Sequence, residues 1–176
     1  HDLLYPTLSV REHLELYADI KGATKDKKIR EQMILDLIEE VGLAKDNKEN
    51  ALSMTLSGGQ KRKLSVAIAL LNNSRVVLLD EPSSGMDVAA QRDLWKLIGE
   101  NKKNRVILLT THSMEEAEIG DRIAILAHAK LQCVGTSHFL KNAYGVGYTL
   151  TISKQPPSKQ SNETAALKLH PQCTTR

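Results

Sequence analysis

Four short stretches carry the side chains that could do chemistry. Leu56-Ser57-Gly58-Gly59-Gln60 sets a hydroxyl and two glycines ahead of an apolar-periodic run that reaches Leu71. Glycines let a backbone approach an anion closely, and the N–H groups at a helix N-terminus supply donors and a partial positive charge. The apolar run Val76-Val77-Leu78-Leu79 leads directly into Asp80-Glu81-Pro82. A hydrophobic strand ending in adjacent carboxylates suits a magnesium–nucleotide site: one acid holds the metal, usually through water, and the other polarises the attacking water. Ser84-Gly85-Met86-Asp87 follows, and then Thr110-Thr111-His112. His112 closes the next apolar strand, which brings it to the same sheet edge, where open α/β sheets bind ligands. Beside two acids it is placed to hydrogen-bond a terminal phosphate.

Each stretch also has a plain structural reading. Ser57 is a good helix N-cap, and so is Asp87. Asp80 and Glu81 can cap the turn that Pro82 announces, and a histidine at a strand end can be incidental. The adjacency of the two acids and the order of the four stretches favour the chemical reading.

The elements that must position these residues are written in the pattern. Ser9-Val10-Arg11-Glu12 is a capping box and predicts a helix to about residue 21, with Val10, Leu14, Tyr17 and Ala18 on one face. A second helix is predicted over about 26–41, with Ile29, Met33, Leu37, Ile38 and Val41 inward and Gly42 as its stop. Residues 44–53 read as a polar loop. The helix after Ser57 turns Leu64, Ala67, Ile68 and Leu71 to one side. From residue 76 the pattern changes to strand, helix (88–103), strand (105–111), short helix (113–119) and two further strands (122–127, 131–134), with a short helix at 137–142. Continuous apolar runs predict strands buried on both faces of a parallel sheet covered by helices. Ala129, where a tight turn would favour glycine, predicts a less sharp hairpin between the last two of these strands. An edge strand is expected over 148–153, and Gln155-Pro156-Pro157-Ser158 opens a linker expected to be disordered.

Composition excludes several classes. With 176 residues and 41% hydrophobic content the chain can bury a core. Aromatic content of 3% leaves little for base stacking, and the net charge of +3 is scattered, so Lys61-Arg62-Lys63 reads as a solvated helix face and no nucleic-acid partner is expected. Cys133 and Cys173 have no metal-ligand spacing and suggest no disulfide framework. No apolar run approaches the ~20 residues that span a bilayer.

Together, the 56–60 pentapeptide, the strand ending in Asp80-Glu81-Pro82, the Ser84-Gly85-Met86-Asp87 turn and His112 resemble the ATPase cassette of ABC transporters, over roughly residues 1–153. Gln60-Lys61-Arg62-Lys63-Leu64-Ser65-Val66-Ala67, Leu108-Leu109-Thr110-Thr111-His112, Gly120-Asp121-Arg122-Ile123-Ala124-Ile125 and Phe139-Leu140-Lys141-Asn142 are similar to the A subfamily in particular. That subfamily consists of exporters acting largely on lipids and sterols. The resemblance implies an α/β fold: the C-terminal part of a P-loop cassette, with a helical subdomain (1–74), a partial ATPase core whose sheet is mainly parallel (75–153), and a tail (154–176). It implies ATP and Mg2+ as cofactors. Leu56, Ser57, Gly58, Gly59 and Gln60 would be the signature motif, facing the γ-phosphate held by another domain. Asp80 would be the metal-holding acid, Glu81 the catalytic base, His112 the switch histidine and Asp87 a contact to the second domain. The implied partners are a second nucleotide-binding domain and the transmembrane domains of the same transporter, at the cytosolic face of a membrane.

The 176 residues contain no GxxxxGK[ST] phosphate loop, which in this family lies upstream of the signature. The chain, which opens at His1 without a methionine, is therefore expected to continue a longer one. Alone it is expected neither to bind ATP tightly nor to hydrolyse it, and its strands are expected to be partly exposed. Two other readings are a soluble ABC-type ATPase of DNA repair or translation, and a product acting only as an interaction module.

Overall fold

The computed structural model describes residues 4–145; the expected strand at 148–153 and the tail at 154–176 lie outside the described residues. The chain divides into His1–Ala143 and Tyr144–Arg176, and the fold below is that of the first unit.

Helix α1 (Val10–Ile20) starts with the predicted capping box: the Ser9 hydroxyl accepts from the Glu12 amide and the Glu12 carboxylate from the Ser9 amide. The Ser9 amide, with its hydroxyl, holds the Glu12 carboxyl below its usual range. Val10, Leu14 and Ala18 are buried as expected, and so is His13, which the apolar pattern passes over. Its Nε2 accepts from the Tyr5 amide at 2.9 Å, which leaves Nδ1 to donate to the Ser9 carbonyl at 2.7 Å.

Helix α2 (Lys27–Glu40) is capped by Asp26 and stopped at Gly42, whose φ of 71° permits the closing bonds from Gly42 to Glu39 and from Leu43 to Ile38. Its buried stripe is Ile34, Leu37, Ile38 and Val41, whereas Ile29 is 59% exposed. Leu37, Ile38 and Val41 are thus inward as expected and Met33 packs partly buried against the core, whereas Ile29 stands off the stripe and Ile34 joins it. Residues 45–50 and 53–55 form 3-10 turns instead of the expected loop. Such turns close on local i→i+3 bonds and need no amphipathic pattern to announce them.

Helix α3 (Gly58–Leu70) follows Ser57 and buries Leu64, Val66, Ala67 and Leu70, more of its circumference than one face. It packs against both α1 and strand β1 (Val76–Asp80). Helix α4 (Val88–Glu100) joins β1 to strand β2 (Val106–Thr110), which lies parallel to it with Val76 beside Val106 and Asp80 beside Thr110. Lys63 is not on a solvated face: its side chain is 19% exposed and pairs with Asp93 of α4 at 3.7 Å.

The mixed helix and sheet architecture is present, but the described strands form two separate sheets. One is the parallel β1–β2 pair. The other is an antiparallel hairpin of β3 (Ile123–Ala127) and β4 (Lys130–Gly135), placed between the short α5 (Met114–Ala117) and α6 (Ser137–Tyr144). Burial on both faces is corrected too. Val77 and Leu79 sit in the core with Leu94, Leu97 and Ile98 of α4, while Val76, Leu78, Val106 and Leu108 are 60–68% exposed. An apolar run does not say which of its two faces is covered by the residues at hand.

The hairpin is sharper than expected. Only His128 and Ala129 separate its strands, with φ of 52° and 57°. Two left-handed residues make the turn that matches strand twist, and a side chain there costs about 1 kcal/mol relative to glycine. Ala129→Gly is expected to raise stability by about 1 kcal/mol, about 2–4 °C in Tm for a chain of this size; an unchanged or lower melting temperature would contradict this account of the turn.

Candidate functional site

The signature stretch is a helix start built twice over. The Ser57 hydroxyl accepts from the Gln60 amide at 3.3 Å, and the Gln60 side chain accepts from the Ser57 amide at 3.0 Å. This capping box leaves the Ser57 O–H proton available to an outside acceptor. The amides of Gly58 and Gly59 lie in the first turn, where a helix offers no carbonyl to meet them. Leu56 is buried and anchors the turn from below.

Neither glycine is needed by the chain itself. Neither has a positive φ, a Cβ on Gly58 would meet nothing within 4 Å, and one on Gly59 would make ordinary contacts with Met86 at 3.6 Å and Ala90 at 3.8 Å. Glycine also disfavours a helix by up to about 1 kcal/mol relative to alanine. Without side chains they leave space beside the helix start.

That space is a cavity of about 450 Å3 between the signature turn and the 85–87 turn, lined by Ser57, Gly58, Gly59, Gln60, Asp87 and Lys63 among others. Asp87 caps α4 by accepting from the Ala89 amide at 3.1 Å and the Ala90 amide at 3.0 Å. Sequence reasoning placed Asp87 correctly as a cap but did not find Lys48 and Lys63, two cations at the same cavity.

The acid group sits elsewhere on the chain, and neither Asp80, Glu81 nor His112 lines that cavity. Strand pairing brings the three together. The Thr110 hydroxyl donates to an Asp80 carboxylate oxygen, and the Glu81 amide donates to the Thr110 carbonyl at 3.0 Å. His112 Nδ1 lies 3.1 Å from Glu81 Oε1, with both side chains substantially exposed. Nε2 of the imidazole thus remains for an outside contact. Among the described residues no three His, Cys, Asp or Glu side chains form a metal-holding group. The acids fit a metal shared with a bound phosphate, since Mg2+ is held by one or two carboxylates together with phosphate oxygens and water.

Glu81 has φ of 43°, a left-handed conformation rare for a branchless charged residue, and Pro82 follows it. The bond to Thr110 and the Ser84 amide, which donates to the Glu81 carbonyl at 3.2 Å, hold it there. Behind His112, the Ser113 hydroxyl caps α5, and the buried Glu116 accepts from Trp95 Nε1 of α4 at 3.1 Å. That bond ties the segment after His112 to the helix after Asp87. No local pattern could have found it, because its partners are far apart in sequence.

The sequence profile described as ABC transporter matches residues 1–84. The human phospholipid-transporting ATPase ABCA3 is 48% identical over 157 residues, 89% of this chain and 9% of that protein. Human ATP-binding cassette sub-family A member 2 is 49% identical over 157 residues, 89% of this chain and 6% of that protein. The chain belongs to the ABC transporter family, with A-subfamily members as its sequence relatives. It spans less than a tenth of the length of these curated relatives. Among solved structures, the dimeric cassette MJ0796 bound to ADP and Pi superposes with a TM-score of 0.67 at 24% identity, over 76% of this chain and 59% of that one. That likeness identifies the fold as that of an α/β ABC ATPase cassette.

Two outcomes follow for the site. Gly58→Ala and Gly59→Ala are expected to leave the melting temperature unchanged or raise it, since nothing in the chain opposes the methyl; a drop of several degrees would mean that the glycines serve the fold. Glu81→Gly is expected to stabilise the chain by about 1 kcal/mol in denaturant titration by relieving the left-handed backbone. A loss of stability there would refute the strain.

Proposed function

We propose that this chain is the signature-bearing and acid-bearing part of a nucleotide-binding domain in an ABC transporter that couples ATP binding and hydrolysis to lipid movement across or within a membrane. The bare signature turn carries the reading: two glycines that neither backbone nor packing requires, at a helix start whose serine proton and amides are free to meet an anion. In this reading Leu56, Ser57, Gly58, Gly59 and Gln60 face the γ-phosphate of an ATP held by a second nucleotide-binding domain, and Asp87 meets that domain across the cavity. Asp80 holds Mg2+ through water, Glu81 orients the attacking water, and His112 hydrogen-bonds the terminal phosphate. A positioned general base of this kind contributes on the order of 100- to 10,000-fold in rate. The residues divide into a helical subdomain at 1–74, ATPase core at 75–153 and a tail at 154–176.

Membrane location and lipid substrate come to this chain from its relatives, of which ABCA3 is named a phospholipid-transporting ATPase. No helix among the described residues is long and apolar enough to cross a membrane, so transmembrane domains of the same transporter complete the assembly.

Because no GxxxxGK[ST] stretch occurs in the 176 residues, the chain is proposed to be inactive alone and to use its signature face in trans. Mixed with a phosphate-loop-bearing cassette of the same subfamily, it should associate when MgATP is present and not when ADP replaces it, as read by sedimentation. Gly59→Ala should abolish that association. Absence of ATP-dependent association, or a robust ATPase rate of the chain alone that Glu81→Gln removes, would overturn the proposal.

A further inference from the structure

Lys21 closes α1 and sends its side chain to the far end of the signature helix. Its Nζ donates to the carbonyls of Ile68 at 2.7 Å and Ala69 at 3.0 Å and to the Ser74 hydroxyl at 3.1 Å, with the Leu71 carbonyl at 3.5 Å. The Asn72 side chain answers with a bond to the Lys21 carbonyl at 3.1 Å. Ile68 and Ala69 lie in the last turn of α3, whose carbonyls have no helical amide to accept. A cation at this end also meets the negative pole of the helix. Among the described residues its partners are neutral oxygens, not a carboxylate, and burial pushes its pKa down. The ammonium is held by bonds that join α1 to the end of α3 and to the turn that leads into β1.

The joint lies where the chain turns. Asn72, with φ of 59°, breaks the helix, and two residues after it Ser74 both accepts from Lys21 and donates to the Leu71 carbonyl at 3.0 Å before β1 begins. α3 therefore has the signature turn at one end and the Lys21 joint at the other, and beyond the joint β1 runs to Asp80 and Glu81.

We propose that Lys21 is the positioning residue of the signature turn, acting from the opposite end of α3 by locking that helix to α1 and to the turn that leads into the acid-bearing strand. The inference rests on the trans role given to the signature turn above. A helix of 13 residues is about 20 Å long, so a tilt of about 5° at the joint moves Ser57 by about 1.7 Å. Misplacements on the order of 1 Å are enough to cost about a hundredfold at a reacting site.

The test uses the full 176-residue chain as wild type, Lys21→Met, Lys21→Arg and Ser74→Ala. Amide exchange is read at Ser57 and Gln60, the two amides that close the signature capping box, and at residues 68–74; MgATP-dependent association with the phosphate-loop-bearing cassette is titrated in parallel. Lys21→Met is expected to speed exchange at both places and weaken association about ten- to a hundredfold, with Lys21→Arg restoring most of both because it can still reach two carbonyls. Faster exchange confined to residues 68–74, with Ser57, Gln60 and the association of the folded fraction unchanged, would reduce Lys21 to a local cap and overturn the proposal. Should Lys21→Met fail to fold, Ser74→Ala decides: it keeps the Lys21 bonds to the α3 carbonyls and removes the tie to Ser74 together with the Ser74 bond to the Leu71 carbonyl, and unchanged exchange at Ser57 and Gln60 would count against the proposal. If the wild-type chain shows no association, the trans reading fails while the exchange comparison still decides the role of Lys21.

Discussion

The parallel pairing of β1 with β2 governs everything at the acid site. Asp80 stands beside Thr110 because Val76 stands beside Val106, and the same register delivers the Thr110 carbonyl to the Glu81 amide and brings His112 within reach of the Glu81 carboxylate. A slip of one residue would turn Asp80 toward the helix-covered face and Leu78 with it, since side chains alternate along a strand. The core prevents this. Val77 and Leu79 fit among Leu94, Leu97 and Ile98 of α4, and each such side chain contributes about 1.5–3 kcal/mol on full burial. Packing on one face of the sheet thus fixes chemistry at its edge.

What could be read from sequence was local. Capping signals gave the starts of α1, α3 and α4, because Ser9, Ser57 and Asp87 bond to amides two or three residues away. The four chemical stretches were legible for the same reason, each being contiguous. Contacts that cross the fold were not. His13, Lys21 and Glu116 look like ordinary polar residues on helices, and their roles come from Tyr5, from the α3 terminus and from Trp95, none of which is nearby in sequence. Ile29 was misplaced because the helix has apolar residues on two stripes and only packing chooses between them. The 3-10 turns at 45–50 and 53–55 have no periodicity to reveal them.

Two departures from local preference point to the site in opposite senses. Gly58 and Gly59 are glycines in a helix, where a side chain would be better and is not blocked. Glu81 is a side chain in a left-handed conformation, where glycine would be better. Residues that contradict their local backbone are expected where function outweighs stability. The Asn72 and Asn73 pair after α3 also has positive φ, but asparagine tolerates that region, so the same signal carries no such weight there.

The arrangement also bears on the proposed use of the signature face in trans. Phosphoryl transfer needs charge stabilisation around the γ-phosphate together with a positioned water and a metal. This chain has groups of both kinds, yet the cavity that the signature turn lines includes none of Asp80, Glu81 and His112. Between them run Pro82, Ser83 and the 84–87 turn. That turn is tied down at Ser83, whose carbonyl accepts from the Met86 amide and from the Gln91 side chain, and at Asp87, which caps α4. With its ends fixed in this way, it spaces the two groups apart within one molecule. Under the proposed function, donors and acids meet one phosphate from different domains, and the turn that separates them on one chain ends at Asp87, the residue proposed to meet the second domain.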